Sequence, residues 1–448
     1  MSAQEETNKA IAYAEKWELQ TVFEDAFANL LIAHPDDPMG FLYDQIVPKA
    51  APPTIDKVIG REIIGSRGVP TLEVEVWAKV HGKSEFLATA ASPSVDNCAI
   101  EDSYVLIDTS NPRYGGRGMR QAVSAVTSIY QPVLEKKQFF NQREVDGWLI
   151  QADGTPNRRK SGSNTMIATS AAIALASSKI MRIPLFLHLA KTVTEKTQFT
   201  VPRPIFAIFN FMNGPISKVY LIPAANIQVE EQIRIIGEIY LHYTTSMKSA
   251  VCNDGCFPIE GDKVDDILQT TEIAVSGGGH TLGDDVFLGF AGRGESNAKF
   301  WTDLFDTSSA ITYIEDPLPL EDSSGLKNLI AKSSENMVIA LGKGVSSQVN
   351  KISTSVPAKA IVVRPSQTGS ITSACDAAKA IDGASKLCVF STSQNETQDS
   401  WIVDIAIACG AQFLQLGPPC RGENIAKINR LLEAAHEIDG MQEKETDE

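Results

Sequence analysis

The chain has 448 residues, 43% hydrophobic and 21% charged, which is the composition of an ordinary globular protein with room for two or three domains. A formal net charge of −15 argues against nucleic acid and against a membrane surface as partners, because both select basic faces. Seven cysteines without zinc-type spacing, no signal-peptide pattern and no apolar run near about 20 residues lead us to expect a soluble protein of a reducing intracellular compartment.

Residues 1–15 are polar, with weak helical character. From Leu19 onward, Leu19, Val22, Phe23, Ala26, Phe27, Leu30 and Leu31 recur at helical spacing, so one helix face is a continuous apolar stripe. His34-Pro35-Asp36-Asp37-Pro38 ends that helix, and Asp37 before Pro38 has the chemistry of an N-cap and a first helical residue. A second short helix carries Phe41, Leu42, Ile46 and Val47 ahead of a Pro- and Ala-rich linker. So small a hairpin cannot bury its own stripe, which leaves two readings: packing on the main body, or association with a second hairpin as a four-helix bundle.

Residues 57–90 alternate in the manner of strands, with Leu72, Val74 and Val76 on one face and Thr71, Glu73 and Glu75 on the other. The turn at Asp153-Gly154-Thr155-Pro156-Asn157 precedes a small-residue helix from about Ser163 to Ile180. Beyond Lys191, apolar runs at 204–209, 284–288, 310–315, 337–341, 359–364, 386–391 and 411–416 alternate with helical stretches, which argues a parallel sheet or a (β/α) barrel. The run at 310–315 stops at Glu315-Asp316-Pro317, so it either presents carboxylates at a strand's C-terminal end, where barrel enzymes place their chemistry, or runs into a plain turn. Ile425, Ile428, Leu432 and Ala435 read as a closing helix, and the final acidic residues as a disordered tail. The expected divisions are 1–50 (hairpin and linker), 51–196 (α+β domain), 197–440 (barrel) and 441–448 (tail).

Several islands then become recognisable in order: Gly60-Arg61-Glu62-Ile63-Ile64-Gly65-Ser66-Arg67-Gly68, Tyr114-Gly115-Gly116-Arg117-Gly118, Asp153–Asn157, Ile314-Glu315-Asp316-Pro317, Gln367-Thr368-Gly369-Ser370, Glu396-Thr397-Gln398-Asp399-Ser400 and Gly417-Pro418-Pro419-Cys420-Arg421. Together they resemble enolase over about residues 57–436. That resemblance implies an α/β fold, a (β/α)8 barrel with an N-terminal α+β capping domain, to which the helical hairpin is appended. The hairpin, over residues 16–48, resembles dimerisation/docking domains of the regulatory-subunit and Dpy-30-like kind. This implies a homodimer or heterodimer that holds an amphipathic helix of a partner protein.

The enolase resemblance also implies chemistry: magnesium ions and a lysine base convert 2-phosphoglycerate to phosphoenolpyruvate, a glutamate assisting loss of the hydroxyl. Of three expected magnesium carboxylates, Asp285 and Glu315 match, while Leu341 takes the third position and Val95 replaces a serine ligand in the capping loop. Arg364 stands where the lysine base belongs, and a guanidinium stays protonated. Asp254 replaces the acid glutamate, Thr392 and Gln394 fall in the segment that contacts phosphate, and Gln415 replaces a lysine. Gly214 stands for a histidine, and an expected acid falls near Pro223. Since groups that act as a unit do not fail additively, the sequence leads to an expectation of a pseudoenzyme with weak or vestigial magnesium binding. Its role would be a structural component of an assembly, ciliary or flagellar by analogy with docking hairpins. The alternative is an active or weak glycolytic enolase.

Overall fold

A computed structural model describes residues 3–447 except 95–102, 248–249, 260–262, 295, 346–348, 350–351 and 394. Val95 and Gln394, named above as altered positions, lie outside the described residues, as does Glu448.

The N-terminal segment forms three helices, α1 (Ala3–Lys16), α2 (Leu19–Ala33) and α3 (Pro38–Ile46). The polar opening is thus helical from Ala3 onward. Asp37 caps α3 as its sequence predicts, its carboxylate accepting the Gly40 N–H at 3.0 Å with Pro38 in the first turn. His34 ends α2 in the left-handed region, its N–H donating to the Leu30 carbonyl. Ala26 is buried where α2 packs on α3, but Phe23, Phe27 and Leu31 are 56, 57 and 56% exposed. Three of the seven stripe residues therefore face solvent, while Leu19, Val22 and Leu30 are half-buried.

The capping domain begins with an antiparallel meander of β1 (Thr54–Ile64), β2 (Pro70–Val80) and β3 (Lys83–Ala91). Leu72, Val74, Val76 and Ala78 are fully buried on the face that meets the Ser163–Met181 helix. That helix is buried almost all round, which its Ala, Ser and Thr residues permit because small side chains let sheet and neighbouring helices approach it. Thr71, expected outward, is also buried, and its hydroxyl donates to the Ser92 carbonyl at 2.7 Å.

The remaining strands are β4 (Arg203–Phe211), β5 (Ile216–Pro223), β6 (Phe257–Ile259), β7 (Val286–Gly292), β8 (Ile311–Glu315), β9 (Val338–Leu341), β10 (Ala360–Val363), β11 (Leu387–Ser391) and β12 (Phe413–Leu416). Eight of them close a barrel in the order β4-β5-β7-β8-β9-β10-β11-β12, with β12 pairing back to β4 and β6 added beside β4. β5 runs antiparallel to both neighbours and the other barrel pairs are parallel, so the first unit is irregular and the fold is the (β/α)8 barrel with an α+β cap. Strand alternation places Tyr220, Tyr313, Ala340, Val362 and Val389 inside the barrel, and Ile314, Ile339, Leu341, Ile361 and Phe390 against the helices. Because both faces are buried, these strands read as unbroken apolar runs. The closing helix, Gly422–Asp447, continues into the segment expected to be a disordered tail, since its Glu, Gln, Lys and Met residues favour helix and no proline interrupts it.

Cap and barrel are joined by buried polar contacts. The carboxylate of Asp146 accepts the Thr372 N–H at 2.8 Å, and the Ser170 hydroxyl accepts the Ile371 N–H at 3.1 Å, both at the start of the Ile371–Gly383 helix. At the cap's other edge, the Ala91 N–H donates to Asp399 at 2.6 Å and the Ser94 N–H to the Asn395 carbonyl at 2.9 Å.

Candidate functional site at the barrel mouth

Between the cap and the C-terminal ends of the barrel strands lies a cavity of about 620 Å³, lined by Lys218, Asp254, Glu315, Asp316, Arg364, Thr392 and Gln415 among others. Glu315 ends β8 two residues after Tyr313, so it faces inward and is 3% exposed. One of its oxygens meets Arg364 Nη2 at 2.5 Å; the other accepts from Gln415 Nε2 at 2.7 Å and from the Tyr220 hydroxyl at 3.1 Å. Burial alone would raise this carboxyl, but the Arg364 charge and the three donors hold it below its ordinary value. The Arg364 guanidinium responds in kind: burial would lower it, and Glu315 raises it.

Asp316, next along, has a left-handed backbone (φ 46°), and its carbonyl lies where a Cβ on Gly292 would come within 2.3 Å, so glycine is required there. Its carboxylate accepts the Gly342 and Lys343 N–H groups at 2.8 and 3.3 Å. Burial, and then the neighbouring Glu315 charge, raise the Asp316 carboxyl above its usual range.

Two of the positions expected to carry magnesium chemistry are placed differently. Asp285 precedes β7, and the register pairs Glu315 with Ala291, six residues further on. At about 3.3 Å per strand residue, Asp285 stands roughly 20 Å from the mouth. There it accepts the Thr281 N–H at 2.9 Å near His280. The strand end beside Glu315 is thus occupied by Ala291, a departure hidden in the sequence by the acid pair that precedes the strand. Leu341, expected at the third ligand position, packs outward among the helices, and the inward position is Gly342. A Cβ on Gly342 would come within 2.7 Å of Arg364 Nη1 and 3.3 Å of Glu315 Oε1. The guanidinium fills that space.

Asp254 is brought to the mouth, as expected, but as half of an ion pair. Its carboxylate meets Lys218 Nζ at 3.1 Å and accepts from Asn210 Nδ2 at 3.0 Å and the Cys256 N–H at 3.1 Å. Burial would raise the group; Lys218 and these hydrogen bonds outweigh it and bring the Asp254 carboxyl down to about 2. Lys218 escaped the sequence reading because β5 did, although the alternation Ile216-Ser217-Lys218-Val219-Tyr220 is a strand signal. Pro223 lies at the far end of β5, paired with Val286, so no side chain there reaches the cavity floor. Gly214 is at the near end, its carbonyl accepting from Arg293 Nε at 3.0 Å.

Thr392 and Gln415 both line the cavity and adjoin each other, the Thr392 N–H donating to the Gln415 carbonyl at 3.2 Å. The Gln415 amide is engaged with Glu315 and, at 2.9 Å, with the Tyr313 hydroxyl. A second contact missed from sequence lies behind this wall, where the buried Lys427 meets Glu396 at 3.2 Å and Glu396 accepts the Ser393 N–H at 2.5 Å. Among the described residues, no group of three His, Cys, Asp or Glu side chains is arranged to hold a metal ion.

Known families agree with this architecture. A model of the enolase N-terminal domain matches residues 55–189, which contain the three-stranded meander and the helices packed on it. A model of the enolase C-terminal TIM barrel domain matches residues 292–444, from the end of β7 through the closing helix. The two matches together cover more than half of the chain, in the order and at the places where cap and barrel are observed, and the chain belongs to the enolase family.

Proposed function

We propose that this chain is a non-catalytic member of the enolase family, a structural component of a larger assembly that docks through residues 16–48. The observation that carries the reading is Arg364 at the end of β10, paired with Glu315 at 2.5 Å. Dehydration of a 2-phosphoacid requires a base for a weakly acidic proton, and a guanidinium held in an ion pair is a poor acceptor. Asp254 does not supply the missing acid, since Lys218 keeps it ionised. Gln415 contributes an amide rather than a cation, and that amide is already bonded to Glu315.

Magnesium belongs to the same question. The inward groups at three neighbouring strand ends are Ala291, Glu315 and Gly342, so one carboxylate stands where a hard cation needs several oxygen ligands. That carboxylate is already neutralised by Arg364. With Arg364 in place, the residues at these strand ends do not fit the ion.

Purified protein with 2-phosphoglycerate and magnesium is expected to form no phosphoenolpyruvate above a no-enzyme control. Turnover that disappears in Glu315→Gln would overturn the reading in favour of an active enolase. The hairpin supports the docking half: its solvent-facing Phe23, Phe27 and Leu31 form an apolar row suited to another helix. A ciliary or flagellar axonemal location rests on the hairpin's resemblance alone. It predicts that a tagged copy concentrates on the cilium or cytoskeleton, and a uniform cytosolic distribution would remove that part.

A further inference from the structure

We infer that the Arg364 guanidinium is this barrel's resident cation: it occupies the place of a divalent ion beside Glu315 and conceals a cation site that opens when that one side chain is removed. The inference rests on the non-catalytic reading of the barrel mouth and adds a charge-neutralising role for Arg364. Glu315 is almost wholly buried, and a carboxylate in that environment needs a compensating charge. Arg364 supplies it at 2.5 Å from the facing strand end. The space it takes is defined on three sides. Ala291 stands beside Glu315 in register without a polar side chain. Gly342 offers no side chain either, and a single added carbon there would clash with the guanidinium at 2.7 Å. Below, the Tyr220 hydroxyl and the Gln415 amide bind the oxygen of Glu315 that Arg364 leaves free.

The arrangement is self-consistent. Small residues at two strand ends make room for one large planar cation, and that cation is attached to the chain, so its occupancy does not depend on metal concentration. Once the guanidinium is taken away, the Glu315 oxygen that Arg364 held faces the cavity, whose lining also includes Asp316. A hard cation with several water ligands then has a buried negative charge to compensate.

Terbium luminescence tests this directly, because Tyr220 and Tyr313 lie against Glu315 and Gln415 and would sensitise an ion bound there. For the wild-type chain, tyrosine-sensitised terbium emission should be unchanged by Glu315→Gln, leaving only ions bound at surface acids. Arg364→Ala should show a several-fold rise in emission, and adding Glu315→Gln in that background should abolish the rise. Arg364→Gln, which keeps a donor toward Glu315, serves if the alanine variant fails to fold. A Glu315-dependent emission in the wild-type chain would overturn the inference, as would the lack of any gain in the Arg364 variants. A second readout needs no variant of Arg364: wild-type melting temperatures in chelator and in magnesium should coincide, and a magnesium-dependent rise abolished by Glu315→Gln would also overturn it. Either failure would leave the turnover assay, and with it the non-catalytic reading, standing or falling separately.

Discussion

Asp254 and Lys218 illustrate how a residue's role depends on its partner. Aspartate in place of glutamate is visible in the sequence, but the lysine 36 positions earlier, on a strand that runs against the others, is what keeps that aspartate charged. The linkage has a definite sign. A folded-state value near 2, below the ordinary carboxylate value, contributes stability that is present at neutral pH and is lost as pH falls through about 2. Asp254→Asn should therefore cost roughly 2–3 kcal/mol at neutral pH, the size expected for that shift and for disturbing a largely buried pair. The gap from wild type should narrow as the pH of the denaturation experiment is lowered from 5 toward 2, within the range where the chain still folds. A gap independent of pH would show that lost packing, not charge, is the cause. Arg364 could be placed from the sequence as an unsuitable base, yet nothing in the sequence indicated that it would close on Glu315, because that contact spans two strands and 49 positions.

Among the elements, the hairpin was the most legible. Helical spacing, the Asp37-Pro38 start and the apolar stripe are all local signals, and α2 and α3 form where those signals place them. Which way the stripe faces is not local, and the exposed Phe23, Phe27 and Leu31 answer it. Replacing Phe23 and Phe27 by Glu should convert any self-associated species to monomer in sedimentation velocity while the far-ultraviolet circular dichroism of the barrel is unchanged, because neither side chain is buried in the main body. An unaltered sedimentation coefficient would mean that the face does not hold copies of the chain together. Strands were legible in proportion to their burial. The parallel strands β8 to β12 announce themselves as apolar runs, whereas β5, with Ser217 and Lys218 near its mouth end, and the three-residue β6 do not.

At the scale of the whole molecule, cap and barrel are joined around the cavity through Asp146, Ser170, Asp399 and Asn395, contacts that cross up to 308 positions of sequence. Asp146 is buried among the Gln142 amide, Ser170 and the start of the Ile371–Gly383 helix; its burial pushes the carboxyl above its usual range, against those hydrogen bonds. The chain by itself determined the fold class, the helices of the hairpin and the arginine at position 364, because periodicity, capping chemistry and residue identity are properties of short segments. Only the tertiary structure decided that Asp285 is at the wrong end of its strand, that Ala291 and Gly342 flank Glu315, and that Arg364 fills the space between them. The physical reason is register: a shift of one residue exchanges the inside of a barrel for its outside, and a shift of six carries a side chain from its mouth to its base.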